Sequence, residues 1–207
     1  MKSIYLIPAL LAGAASAHPV SYEGAYQLML GGTESVQNLE LYHSYTAREA
    51  FGLHVMRFED DRDTDLFAGI QHNWLLKRWN LPSAQANVYV GLGAGGALRE
   101  GDSWAPAGIG FFRADYETRR IYTAFETKLI GSEDVSRGWT AASVGFAPYE
   151  ADFDELNTWF IVRFEHVSGM RDDLDVVPYV RLFKDNYFLE LGCSLDGEPS
   201  LSFMVHF

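Results

Sequence analysis

The sequence predicts an all-β protein, a single domain of twelve antiparallel strands. Three observations predict it. From residue 24 onward apolar residues alternate with polar or small ones, the period of a strand with two unlike faces, and no stretch sustains helical spacing. The alternating segments are even in number and separated by turn residues. The chain is also rich enough in core-forming side chains, 48% hydrophobic and 14% aromatic, to exclude a disordered polymer. Its 207 residues suit one domain. Sixteen Lys and Arg against 28 Asp and Glu leave a net charge of −12, which repels phosphate backbones and excludes nucleic acid as a partner. A lone Cys193 excludes a disulfide framework and a Cys-rich zinc site, and its parity with Leu189 and Leu191 assigns it to packing rather than reactivity.

Taken in order, the first element is a leader. Lys2 supplies a positive start, residues 4–14 an apolar stretch, and Ala15-Ser16-Ala17 the small residues of a secretory cleavage site. Residues 1–17 are therefore expected to be removed after Ala17, leaving His18 first and 18–207 as the domain. The apolar stretch is shorter than the ~20 residues that span a bilayer as a helix. Strands are expected at 24–30, 38–45, 50–58, 66–75, 85–97, 105–117, 119–130, 139–148, 157–168, 175–184, 186–194 and 199–207. Ala86, Val88, Val90 and Leu92 oppose Asn87, Tyr89, Gly91 and Gly93; Phe160, Val162 and Phe164 oppose Arg163 and Glu165; Leu201, Phe203, Val205 and Phe207 oppose Ser202, Met204 and His206. The second face thus carries charges in mid-strand. The glycines at 91, 93, 95 and 96 predict close wall packing or a bend.

A soluble sandwich hides its apolar face, whereas a membrane barrel shows it to lipid. The connections separate the two. If the first strand rises from the periplasm, the outer connections 31–37, 59–64, 99–103, 131–138, 169–174 and 195–198 are polar and mostly acidic, while several inner ones are tight turns; 77–83 and 149–156 are longer. Leader, alternation and aromatic-ended last strand together resemble the outer-membrane β-barrel proteins of Gram-negative bacteria. The resemblance implies a closed antiparallel transmembrane β-barrel of about twelve strands, with ten or eight as alternatives. It implies outer-membrane localisation, lipid as surroundings, and Phe203, Val205 and Phe207 as the signal read by the barrel assembly machinery. Trp74, Trp79, Trp104, Trp139, Trp159 and Tyr187 are expected in interfacial girdles. The remaining fold alternative is an exported soluble β-sandwich or lipid-binding protein.

Inside such a barrel, one parity places Glu40, His54, Glu126, Lys128, Arg163, Glu165, Arg181, Glu190 and His206. Mixed charges in a narrow lumen must be paired or hydrated. They form either a salt-bridged plug or a water-lined path with charge-set selectivity. The function expected is a narrow passive channel for small solutes or a structural and interaction barrel, with no enzyme activity assigned.

Two other chemistries have candidate residues. His166 and Ser168 share one strand face, and His-x-Ser resembles outer-membrane phospholipase A and lipid A deacylase; that resemblance implies Ser168 as nucleophile, His166 as base, and Asp172, Asp173 or Asp175 as orienting carboxylate. Gly169 stands where those lipid hydrolases have Asn. After cleavage, His18 would carry an amine beside its imidazole, a chelating pair for copper or zinc that His43, His54, His72 or His206 could complete only by folding. The acidic run 59–65 lacks the Gly and Glu of a calcium loop and reads as solvated, as does 149–156 with its aromatics against the rim.

Overall fold

The computed structural model describes residues 18–60, 63–170 and 173–207. The expected leader and its cleavage point lie outside the described residues, as do Asp61, Arg62, Arg171 and Asp172. Twelve strands follow in order: β1 (Tyr26–Gly32), β2 (Val36–Thr46), β3 (Glu49–Glu59), β4 (Thr64–Leu81), β5 (Ala84–Arg99), β6 (Ala105–Thr118), β7 (Ile121–Ser132), β8 (Ser136–Phe146), β9 (Asn157–Ser168), β10 (Leu174–Lys184), β11 (Tyr187–Cys193) and β12 (Pro199–His206). Each pairs antiparallel with its sequence neighbour, and β1 pairs with β12, so the sheet closes into a barrel. Closure settles the strand number at twelve rather than ten or eight and excludes the soluble sandwich.

Period-two side-chain alternation decides what each face meets. Leu41, Leu53, Ile70, Leu92, Phe125, Leu129, Phe160 and Val180 are exposed on the outer face, while their neighbours Glu40, His54, Gln71, Lys128 and Arg181 are buried inside. A soluble lipid-binding barrel has the opposite arrangement. An apolar band running around a whole barrel far exceeds the few hundred Å² a soluble monomer tolerates, and lipid is the solvent that matches it. The molecule is an outer-membrane-type barrel.

The seam is sealed at both ends. Tyr26 and Phe207 exchange main-chain hydrogen bonds of 2.8 and 3.0 Å at the rim bearing the chain ends. At the other rim the Ser35 amide and hydroxyl both donate to Glu198 Oε1 at 2.8 Å, tying the β1–β2 loop to the β11–β12 loop. Phe203 and Val205 point outward beside Leu30 and Leu28, and the Phe207 ring stacks on Tyr26 at 6.0 Å.

Three expectations are corrected. Residues 77–83 form no long connection: β4 and β5 extend to Leu81 and Ala84, and only residues 82–83 turn the hairpin. The fully described connections of the far rim, 33–35, 100–104, 133–135 and 194–198, are short, while 147–156 on the other rim is longer, so the expected asymmetry between rims is slight. Trp139 and Trp159 point inward, Trp159 being 2% exposed, because each shares parity with the inward charges of its strand. Trp74, Trp79 and Trp104 remain on the outer side, and Gly96 is small because the Trp104 ring lies over it: a Cβ there would come within 2.7 Å of the ring.

Candidate functional site: the barrel lumen

Polar side chains reach the lumen from every part of the wall, and low dielectric forces them to pair. One chain of contacts starts at the β2 carboxylate Glu40. It accepts from Lys128 of β7 on the far side of the barrel and lies 3.7 Å from His54. Lys128 also faces Glu126 at 3.5 Å; Glu126 accepts from Arg113 at 2.9 Å, and Arg113 donates to Asp115 at 3.1 Å. A second cluster lies on β9 to β11. Glu190 accepts from Arg163 at 2.7 Å and from Arg181 at 2.9 Å, while Glu165 sits 3.6 Å from Arg163 and accepts from the indole of Trp139 at 3.3 Å. The guanidiniums of Arg163 and Arg181 each lie 4.3 Å from a tyrosine ring, Tyr179 and Tyr122 respectively, a stacking that suits the weakly hydrated Arg cation.

Glu40, His54, Glu126, Lys128, Arg163, Glu165, Arg181 and Glu190 therefore face inward in these two clusters, and His206 is half-buried on the inward parity of β12. Sequence reasoning missed several companions: Asp65, Gln71, Asn73, Asn87, Arg113, Asp115, Glu117 and Arg137 are buried on the same face. Their parity was readable, since Arg113, Asp115 and Glu117 alternate with Phe112, Ala114 and Tyr116. Near the loop rim Arg137 reaches Asp65 at 2.7 Å, a second pair crossing the lumen, and donates to the Gly169 carbonyl.

The largest omission was the segment before β1. Residues 18–21 turn into the barrel from the rim bearing the chain ends. Val20 is 1% exposed among Tyr42, Ala50, Leu75, Tyr89 and Phe111. The Ser21 amide donates to Ser44 Oγ at 2.9 Å. The His18 ring stacks on Tyr89 at 5.4 Å with Nε2 3.4 Å from Asp115. Burial pushes its pKa below the ordinary imidazole value, with Asp115 opposing. No periodic pattern announces such a strap. His18 thus meets a carboxylate and an aromatic ring, and among the described residues no group of three His, Cys, Asp or Glu is arranged to hold a metal.

Between the clusters lies a cavity of ≈130 Å³, with room for on the order of ten waters. Pro19 of the strap lines it at one end, and Gly32 and Thr33 line it at the other. Its charged lining is balanced: Glu40, Glu126, Glu165 and Glu190 against Arg113, Lys128, Arg163 and Arg181. The space exists because Ala124, Ala141 and Ser143 on β7–β8, and Gly31 and Ser202 on β1 and β12, are small.

The hydrolase candidates lie outside, at the loop-rim end of β9. His166 Nδ1 is 3.3 Å from the main-chain carbonyl of Asp173, and the Ser168 hydroxyl donates to the Gly138 carbonyl at 3.4 Å. Neither contact is the serine-to-imidazole bond that activates a nucleophile. Cys193 is exposed at the end of β11.

No family model matches this sequence. No curated protein matches it either. Two solved structures of the KdgM porin, one in complex with disordered oligogalacturonate, are similar with a TM-score of 0.49 and 8% identity over 88% of this chain and 98% of theirs. OmpTdeltaL8, a loop-deletion mutant of an outer membrane protein of Vibrio cholerae, is similar with a TM-score of 0.34 and 11% identity over 89% of this chain and 97% of that one.

Proposed function

We propose that this barrel is a narrow passage for small polar solutes across the outer membrane, held shut in the state described by its own residues 18–21. One observation carries the reading. At the end of the lumen facing the periplasm, a strap packs among wall side chains through buried Pro19 and Val20, the His18 contact with Asp115 and one hydrogen bond from the Ser21 amide, and behind it lies the charge-lined cavity. Such a strap can leave without unfolding a strand. On this reading the leader is removed after Ala17, the chain ends face the periplasm, and Phe203, Val205 and Phe207 present the last strand to the assembly machinery.

Single-channel conductance in a planar bilayer at two ionic strengths tests it, comparing chain 18–207 with chain 22–207, both checked for heat-dependent gel mobility. The longer chain should be nearly silent and the shorter one should open steps. Silence of both folded proteins at every voltage would reject the passage. That outcome would favour the second reading, a structural and interaction barrel, which the lumen-crossing pairs Lys128 to Glu40 and Arg137 to Asp65 support.

A further inference from the structure

Besides the β2–β3 side, which contributes Asn38, Glu40 and Met56, the cavity has four walls of two kinds. Two are hollow. On β8, Ala141 and Ser143 sit on adjacent inward rungs, Ala141 between Glu126 and Glu165 and Ser143 between Ala124 and Arg163. On the β1–β12 seam Gly31 pairs with Ser202, and a Cβ added at Gly31 would come within 2.8 Å of the Ser202 hydroxyl. The other two walls are charged, β6–β7 with Arg113, Glu126 and Lys128, and β9–β11 with Arg163, Glu165, Arg181 and Glu190.

In each charged wall one group is more open than its partners, and the two have opposite sign. On β7 it is the Glu126 carboxylate, whose side chain is 17% exposed against 8% for Lys128. On β9 it is the Arg163 guanidinium, 14% exposed against 2% for Glu190. These two flank the Ala141 and Ser143 hollow.

The balance of four carboxylates and four cations around the space decides which solute is tolerated. A monovalent anion or cation entering so desolvated a site adds a charge with no free counter-charge, and its desolvation is not offset. A molecule carrying both charges adds none. Its ammonium can meet Glu126 while its carboxylate meets Arg163, each through charge-assisted hydrogen bonds. A neutral polar molecule avoids the penalty but gives up both of those bonds.

We infer that the lumen cavity is a binding site for a small zwitterion, with Glu126 taking its ammonium group and Arg163 its carboxylate. This deepens the passage reading and rests on it, while the lining reaches Gly32 and Thr33 at the end away from the strap, so the binding groups do not include the strap.

Isothermal titration of the folded 18–207 barrel in detergent with γ-aminobutyrate, butyrate, butylammonium and butyramide tests it. These probes share a four-carbon skeleton and differ in charge. Saturable binding of γ-aminobutyrate, with each of the other three weaker by roughly ten-fold or more, is expected, because each lacks at least one charge-assisted bond. Glu126→Gln and Arg163→Gln should each abolish that preference, and Arg163→Lys should retain part of it. No saturable heat with γ-aminobutyrate, or equal binding of butyrate or butyramide, overturns the inference. The wild-type comparison decides even if a variant does not fold. Because this readout is binding to the closed barrel, its failure is separable from that of the passage, which conductance of the strap-less chain reports.

Discussion

The two halves of the lumen fill the same kind of space in opposite ways. Toward the loop rim, β2 to β6 contribute Val36, Met56, Phe58, Phe67, Ala97 and Ile109 to an apolar cluster, bordered by the neutral hydrogen bonds of His54 to Gln71 at 2.7 Å and Gln71 to Asn73 at 2.6 Å. Around β9 to β11 the interior is ionic, with Arg163, Glu165, Arg181 and Glu190 over aromatic rings. The packed half excludes water by shape. The ionic half has unlike side chains that meet at their heads, leaves space beside small residues, and borders the cavity. One barrel therefore combines a packed stave with one that borders open space. Gly91 faces inward on the packed side, where a Cβ would lie 2.3 Å from Asn73 Oδ1.

The largest way to break this contrast is Glu190→Gln. Glu190 is the shared acceptor of the buried Arg181 and the more open Arg163, and Gln removes the charge that both guanidiniums pair with, leaving Arg163 only Glu165 at 3.6 Å. Removing one partner of a buried ion pair costs about 3–5 kcal/mol. Urea unfolding of the barrel refolded into vesicles should register a loss near 4 kcal/mol; a loss under about 1 kcal/mol would mean that water already solvates this cluster and that the ionic half is no more than a wet surface. The triple replacement of Arg163, Glu190 and Arg181 by apolar residues of similar volume should recover most of that stability, since a buried pair rarely outperforms apolar packing.

On the packed side Phe67→Ala is next. Phe67 is 1% exposed in the apolar cluster, and truncating a buried Phe costs about 3–5 kcal/mol, the lower end applying where water can enter the void. About 3 kcal/mol is expected in the same assay, with no change in binding of γ-aminobutyrate. A change in binding would show that the two halves are coupled.

The sequence disclosed this division unevenly. Strand existence and closure were legible because alternation persists through strands such as β6 and β9, and burial of one face leaves no freedom of register. The inward position of Arg163 and Glu165 followed from the apolar run Phe160, Val162 and Phe164. The same parity puts Trp159 in the interior, where the structure has it, although from sequence it was expected in an interfacial girdle. Which charge meets which was not legible. Glu40 and Lys128 lie on opposite sides of the barrel, and only closure brings them together. The strap was invisible for a different reason: four residues without periodicity carry no record of the hydrophobic hollow formed by Tyr42, Ala50, Leu75, Tyr89 and Phe111 that receives them.

The outer face offers a third, smaller test, because it should behave identically over both halves. Leu53 on β3 and Val180 on β10 are both exposed, at 55% and 38%. Arg placed at either site should cost about 2–4 kcal/mol near the bilayer midplane and less toward the rims. Unfolding from vesicles measures it. A penalty at Leu53 but none at Val180 would mean that the β10 side faces another protein rather than lipid.

The smallest expected effect lies at the seam. Ser35→Ala removes the hydroxyl donor to Glu198 Oε1 but leaves the main-chain donor to the same oxygen, both at 2.8 Å. A single such bond contributes about 0.5–1.5 kcal/mol, more to a charged acceptor, and exposure at the rim lowers it, so global stability should fall by under about 1 kcal/mol. Locally the effect should be easier to see. The β1–β12 ladder runs from Gln27 paired with His206 to Gly32 paired with Leu201, and its loop-rim end is held by this clasp. Amide exchange at Gly31, Gly32 and Ser202 should accelerate in Ser35→Ala while exchange near Tyr26 and Phe207, held by their own reciprocal pair, stays unchanged. Acceleration at both ends of the seam would mean that β1 and β12 open as one unit rather than from the loop rim inward.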